Sequence, residues 1–274
     1  MRSQRERSAH RRLVSSPILS ASVVIHGGAA AATLVHAGAW PWALGAVVAN
    51  HAVVAAAGLL PRSRLLGPNW VRLPAASGAR GEVAITIDDG PDPAVTPRVL
   101  AQLAEHRAQA TFFCVGERVE RYAELAQEIV RRGHTIENHS QRHRHNFSLL
   151  GPGGMRAEIA RAQDSISRAT GSSPRFFRAP AGLRNPFLEP VLGDLDLRLA
   201  SWTRRGFDTV NGNSEVVYRR LARSLRGGDI LLMHDGNAAL TAGGQPVILS
   251  VLPRLLDTLS THRLTPITLR AALP

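Results

Sequence analysis

The sequence has no lysine, a single cysteine and, for 49 consecutive residues, no charged side chain at all. Each absence removes a class of protein. With only Cys114, the chain can form neither an internal disulfide nor a thiolate zinc cluster, and the apolar run Thr111-Phe112-Phe113-Cys114-Val115 marks a buried, inert thiol. A formal charge of +12, all of its cations arginine, would raise nucleic-acid binding. No zinc finger, aromatic-studded basic strand or recognition-helix pattern accompanies it, so no nucleic-acid partner is expected. The charge is also uneven. Residues 1–75 carry Arg2, Arg5, Arg7, Arg11, Arg12, Arg62, Arg64 and Arg72 against Glu6 alone, which is +7, and the remaining 199 residues carry +5. That excess flanks an apolar segment, where anionic membrane lipids are the natural partner.

The uncharged stretch, which covers Leu13 to Leu60 and ends at Pro61, breaks near Ala39-Trp40-Pro41-Trp42, which suits a turn at a membrane–water interface. Two transmembrane helices, about 17–38 and 43–60, are therefore expected as an N-terminal hydrophobic hairpin. His26, His36, Asn50 and His51 read as helix-to-helix hydrogen bonding or interface placement rather than an ion pathway. A cleaved leader is the competing account, although the second apolar run does not suit it. Residues 61–80, rich in proline, glycine and arginine, read as a linker. The expected organisation is a basic terminus, hairpin and linker over 1–75 and a larger domain over 76–274. Arginines on both flanks of a hairpin would keep that domain on the cytoplasmic face of the membrane.

From Glu82 onward, short apolar runs at 82–87, 110–115, 134–138, 175–178, 197–202, 229–233 and 264–268 alternate with helical patterns near 95–108, 117–132, 152–169, 187–194, 213–226 and 246–260. This alternation predicts an α/β fold of about seven parallel strands with crossover helices. Working residues in such folds sit where strands end. The first strand ends in Asp88-Asp89-Gly90-Pro91, two adjacent carboxylates that need a cation or separate roles, unless they form a plain turn. The third runs into His139-Ser140-Gln141-Arg142-His143, and four-residue spacing on a helical turn lets two imidazoles reach one metal ion. A histidine-rich surface loop is the bland alternative, and His145 reads as a bystander. The fourth ends in Arg178-Ala179-Pro180-Ala181, where an arginine beside a carboxylate pair would orient it. The sixth ends in Leu232-Met233-His234, a histidine either structural or placed for proton transfer.

Together these signals resemble the motifs of the polysaccharide deacetylases, also called NodB-homology or carbohydrate esterase family 4 proteins, over about residues 80–270. The resemblance implies a distorted (β/α)7 barrel and hydrolysis of an N-linked acyl group, most simply acetyl, on an amino sugar. The substrate would be a glycan or, alternatively, a lipid-linked sugar, including a deformylase-type reaction; a non-catalytic binding module is a further alternative. It makes Asp88 the general base, Asp89, His139 and His143 the ligands of one divalent ion, and Arg178 the residue that orients the base. His234 becomes the general acid, with Leu232 lining the acyl pocket beside Pro180 and Ala181. Zinc is the expected ion, with cobalt, nickel and manganese equally accommodated by that donor set. Ala181 stands where the family usually has an aromatic residue. The fourth motif is matched only loosely, by Trp202 as a pocket wall and Asp208 as a partner of His234; a core tryptophan and an Asp-Thr turn explain those residues as well.

Overall fold

The computed structural model describes residues 16–274, so the five arginines expected to flank the first span lie outside the described residues. Pro17–Val35 forms α1 and Trp40–Leu59 forms α2, joined by a 3-10 turn at Ala37–Ala39. At 1.5 Å per residue each is about 30 Å long, the depth of a hydrocarbon core. Trp40 and Pro41, expected in the turn, instead open α2, since proline in a first helical turn sacrifices no hydrogen bond. Asn50 donates to Ser22 Oγ (2.7 Å), and the Nε2 atoms of His26 and His51 lie 3.2 Å apart, so these polar residues tie the helices together as expected.

Residues 61–74 are packed rather than free. Leu66 and Leu73 are buried, and Trp70 bridges Ala200. A short helix, α3 (Ala75–Ala79), then leads into alternating elements: β1 (Glu82–Asp88), α4 (Thr96–Glu105), β2 (Ala110–Cys114), α5 (Gly116–Arg121), α6 (Ala123–Arg131), β3 (Thr135–Asn138), α7 (Pro152–Thr170), β4 (Phe176–Phe177), α8 (Leu188–Asp194), β5 (Arg198–Leu199), β6 (Arg204–Arg205), α9 (Ser214–Ala222), β7 (Ile230–His234), α10 (Ile248–Thr261) and β8 (Thr265–Pro266). All pairings between these strands are parallel, in the order β5-β4-β3-β2-β1-β7-β6, with β8 on the start of β1. The result is the expected α/β fold, a curled half-barrel. Each expected strand appears, while β6 is an addition too short to show a period, and the helix expected over 117–132 breaks at Tyr122.

Strand alternation decides what lies inside. Val83, Ile85 and Ile87 of β1 and Leu231 and Met233 of β7 join Val99, Leu103, Leu252 and Leu255 in the core beneath the helices. The opposite face carries Ala84, Thr86 and Asp88, with Ile230, Leu232 and His234 beside them, and the register sets Asp88 directly against His234. Two chemically active side chains thus share the sheet's inner face at its carboxyl end.

Candidate active site

Alternation alone would send Asp88 and Asp89 to opposite faces. The backbone at Asp89 is left-handed, at φ 74°, a conformation aspartate tolerates better than most residues, and both carboxyls line one cavity of about 530 Å³. The loop after β7 closes on them: a Cβ at Gly236 would lie 2.6 Å from the Asp89 carbonyl oxygen, so this approach requires glycine.

His139 and His143 do come together, with ring centroids 4.9 Å apart, but not on a helical turn. The segment is a loop, left-handed at Ser140 (φ 65°) and His143 (φ 48°). Local bonds hold it there: Asn138 Oδ1 accepts from the Ser140 N–H (2.9 Å), and Ser140 Oγ from the His143 N–H (3.1 Å). His139 Nδ1 donates to the Arg178 carbonyl (2.8 Å), which turns Nε2 toward Asp89 Oδ1 at 3.2 Å. His143 Nε2 lies 3.1 Å from the same oxygen.

Asp89 Oδ1 is buried and has no hydrogen-bond partner among the described residues. One ligand atom from each of the three residues lies within 4.8 Å of the others. Burial pushes the Asp89 carboxyl up, but the two imidazoles outweigh it and hold the group well below the usual carboxylate range. Imidazoles stabilise a carboxylate at this distance by carrying a proton or by sharing a cation with it. A carboxylate and two imidazoles with one side open to the cavity fit a single divalent ion of the kind that accepts mixed nitrogen and oxygen ligands.

Arg178 is 1% exposed and makes four hydrogen bonds. Nη1 donates to Asp88 Oδ1 (2.6 Å) and Thr86 Oγ1 (2.8 Å), Nε to the Ala200 carbonyl (3.1 Å), and Nη2 to the Ser201 carbonyl (2.7 Å). Its guanidinium also lies over the Phe113 ring at 4.1 Å. Burial lowers its pKa, opposed by Asp88. Across the cavity, buried Asp208 accepts from His234 Nδ1 (2.9 Å) and from the His234 N–H (2.7 Å). Burial alone would strip the imidazole of its proton, but Asp208 overrides it and raises His234 to about 9.

Asp88, Asp89, His139, His143, Ala181, Trp202, Leu232 and His234 line the cavity together. Arg178 and Asp208 stand behind Asp88 and His234, and Pro180 is buried in the turn off the cavity wall. His145 lies on the rim. The sequence reading missed Asn237, whose Nδ2 donates to Asp89 Oδ2 (3.2 Å), and the rim arginines Arg118, Arg121, Arg142 and Arg205. The Asn237 position, three residues after His234 in the same strand-end loop, was the available signal.

Residues 75–200 match the family model described as polysaccharide deacetylase. A peptidoglycan-N-acetylglucosamine deacetylase of Bacillus cereus is 33% identical over 156 residues, covering 56% of this chain and 72% of the relative. A second protein of that name from the same organism is 27% identical over 179 residues, 64% of each chain, so this chain spans slightly under two thirds of its length. Among solved structures, a family 4 carbohydrate esterase from Streptomyces lividans in complex with acetate superposes with a TM-score of 0.61 at 31% identity, covering 68% of this chain and 91% of that one.

Proposed function

The chain belongs to the polysaccharide-deacetylase family, also called NodB-homology or carbohydrate esterase family 4 proteins, and on that premise we propose that it is a metal-dependent hydrolase removing the N-acetyl group from an N-acetylglucosamine-containing glycan. One observation carries the reading. The Asp89-His139-His143 donor set opens onto a cavity with Asp88 on one side and His234 on the other, each held by a buried partner of opposite charge.

A divalent ion held by Asp89, His139 and His143 would supply a Lewis acid that polarises the amide carbonyl and acidifies water. The remaining work falls to the chain's own groups. Arg178 occupies Asp88 Oδ1, leaving Oδ2, 3.8 Å from His139 Nε2, to accept the proton of the attacking water. Bonded on every side, Arg178 fixes that oxygen's direction. The Ala181 N–H makes no backbone hydrogen bond among the described residues and is assigned to the developing oxyanion. Leu232 and Trp202 present apolar wall to the acyl methyl. His234, protonated at neutral pH, gives its proton to the leaving nitrogen as the C–N bond breaks, releasing amine and acetate.

The test is metal content with acetate release from an N-acetylglucosamine oligomer by the purified full chain. One zinc, cobalt, nickel or manganese ion per chain and loss of both metal and activity in His139→Ala and His143→Ala are expected. Unchanged metal in those variants would remove the triad.

In this reading α1 and α2, both long and apolar enough to cross a membrane, anchor the domain, and the arginine-rich flanks hold it on the cytoplasmic side. An alkaline phosphatase fused after Pro274, active only outside the cytoplasm, is expected to stay silent. Strong activity reverses the orientation.

A further inference from the structure

The chain leaves α2 directly onto the wall of the active-site cavity. Ala57 and Gly58 of its last turn are buried, and the Gly58 carbonyl accepts from the Arg184 N–H (3.1 Å). A Cβ at Gly58 would lie 2.2 Å from the Arg184 carbonyl oxygen, so the contact tolerates only glycine. Pro61 then backs Gly182 and its carbonyl accepts from Ser201 Oγ (2.6 Å), while Arg62 Nη1 donates to the Thr203 carbonyl (3.2 Å). Gly182 and Trp202, the residues flanked by this segment, line the cavity. The other end of the hairpin meets the same place, for Ser16 Oγ donates to the Leu65 carbonyl.

From Leu59 to Pro61 is two residues, at most about 7 Å of extended chain. A catalytic domain that searched a distant polymer would need a free tether; this one is fastened by its wall to the end of a membrane-length helix. The surface around the junction is apolar. Leu59, Leu60 and Leu65 are exposed, as are Phe187 and Leu149, which Asn185 links to the Arg184 loop through bonds to the Ser148 and Leu150 carbonyls. Such a surface suits contact with the bilayer.

The rest of the rim is cationic. Arg118 pairs with Asp92 (3.6 Å) and Arg142 with Glu117 (3.0 Å), but Arg121 and Arg205 have no ion pair among the described residues. Arg205 lies over Trp202 (5.4 Å) and Phe207 (4.9 Å), and its buried Nε has no hydrogen-bond partner among the described residues. A cavity-lining guanidinium stacked beside the membrane-side wall, with no ion pair among the described residues, matches a phosphate oxygen.

We propose that the substrate is an N-acylated amino sugar attached through phosphate to a lipid of the membrane that α1 and α2 enter. This rests on the deacetylase reading above. Sharing one bilayer with its substrate raises the effective concentration at a cavity held this close to the surface.

The experiment uses the full chain in proteoliposomes with three acceptors at equal total concentration: N-acetylglucosamine on a polyprenyl phosphate, the same sugar on an uncharged long-chain alcohol, and a water-soluble N-acetylglucosamine tetramer. Deacetylation is read by mass spectrometry. The phosphate-linked lipid is expected to turn over at least about tenfold faster than either of the others. Equal or faster turnover of the tetramer, or equal turnover of the two lipids, overturns the proposal and leaves the deacetylase reading standing. No turnover of any acceptor overturns both.

Discussion

Asp88 and Asp89 face Asp208 and His234 across the cavity, and the two sides keep opposite charge by opposite means. On the first, the Arg178 guanidinium and two imidazoles converge on carboxylates. On the second, a carboxylate secures a proton on an imidazole that burial would otherwise neutralise, up to about 9. Each stabilising partner arrives from a different part of the chain: Arg178 follows β4 and serves β1, while Asp208 follows β6 and serves β7. Two titratable groups of opposite duty can work at one pH when each has a private buried partner. Their strands are adjacent, so the separation of duties rests on those partners rather than on distance.

The strongest way to break this comparison is to remove each working group in turn. Asp88→Asn cannot accept a proton and is expected to lower kcat by about 10²–10⁴-fold, and His234→Asn by a similar factor. Metal content, measured by elemental analysis of the same preparations, should stay at the wild-type level in both. Activity within a few fold of wild type in either variant would take that residue out of the chemistry.

The two sides were unequally legible in the sequence. Asp88, Asp89, His139 and His143 stood out because each short motif directly follows an apolar strand, where this class of fold puts its mouth. The matched family model also ends at residue 200, before β6 and β7, which leaves Asp208 with little local signal. Asp208 finds its meaning only through the register that sets β6 beside β7. Asn237 touches Asp89 across 148 residues, and no periodicity reports such a contact. Four-residue spacing looks the same in a loop and in a helical turn, so the sequence of His139 to His143 predicts the turn; the left-handed residues that decide it are a tertiary outcome. Residues 61–74 read as linker because their prolines and arginines outnumber Leu66, Trp70 and Leu73, yet those three apolar residues secure the segment to the domain.

A smaller perturbation targets the partner instead of the proposed acid. In Asp208→Asn the charge that raises His234 is gone while burial, which lowers it, remains. The alkaline limb of the kcat/KM profile should therefore lie at lower pH in the variant than in wild type. A shift of one unit removes about tenfold of the protonated form above the wild-type limb, about half of it at the new limb and little well below, so activity at pH 8 should fall more than at pH 6. A cation at Asp89 lowers the limb of both proteins and preserves the difference. An equal loss at both pH values would assign Asp208 a purely structural part.

The smallest expected effect concerns Asp235, a third carboxyl in the same loops that has no ion pair among the described residues. Burial raises it to about 7; the bonds from Thr96 Oγ1 and the Gly236 N–H oppose that rise, and the charges of Asp89 and Asp92 add to it. A folded pKa above the unfolded one means that folding retains a proton the unfolded chain releases. The resulting stabilisation is complete below about pH 4 and is lost as pH rises toward 7. Asparagine keeps the size and never ionises, so Asp235→Asn should lack this contribution to the pH dependence. In metal-free protein, the melting temperature of the variant relative to wild type is expected to rise by about 10 °C between pH 4 and pH 7, from a linkage of about 3 kcal/mol at about 2–4 °C per kcal/mol for a domain of this size. Other groups titrate in that window, including His234, but they are common to both proteins and cancel in the difference. Parallel melting curves across the window would show that Asp235 ionises freely, and that burial beside Asp89 leaves a carboxyl charged even without a cation to face it.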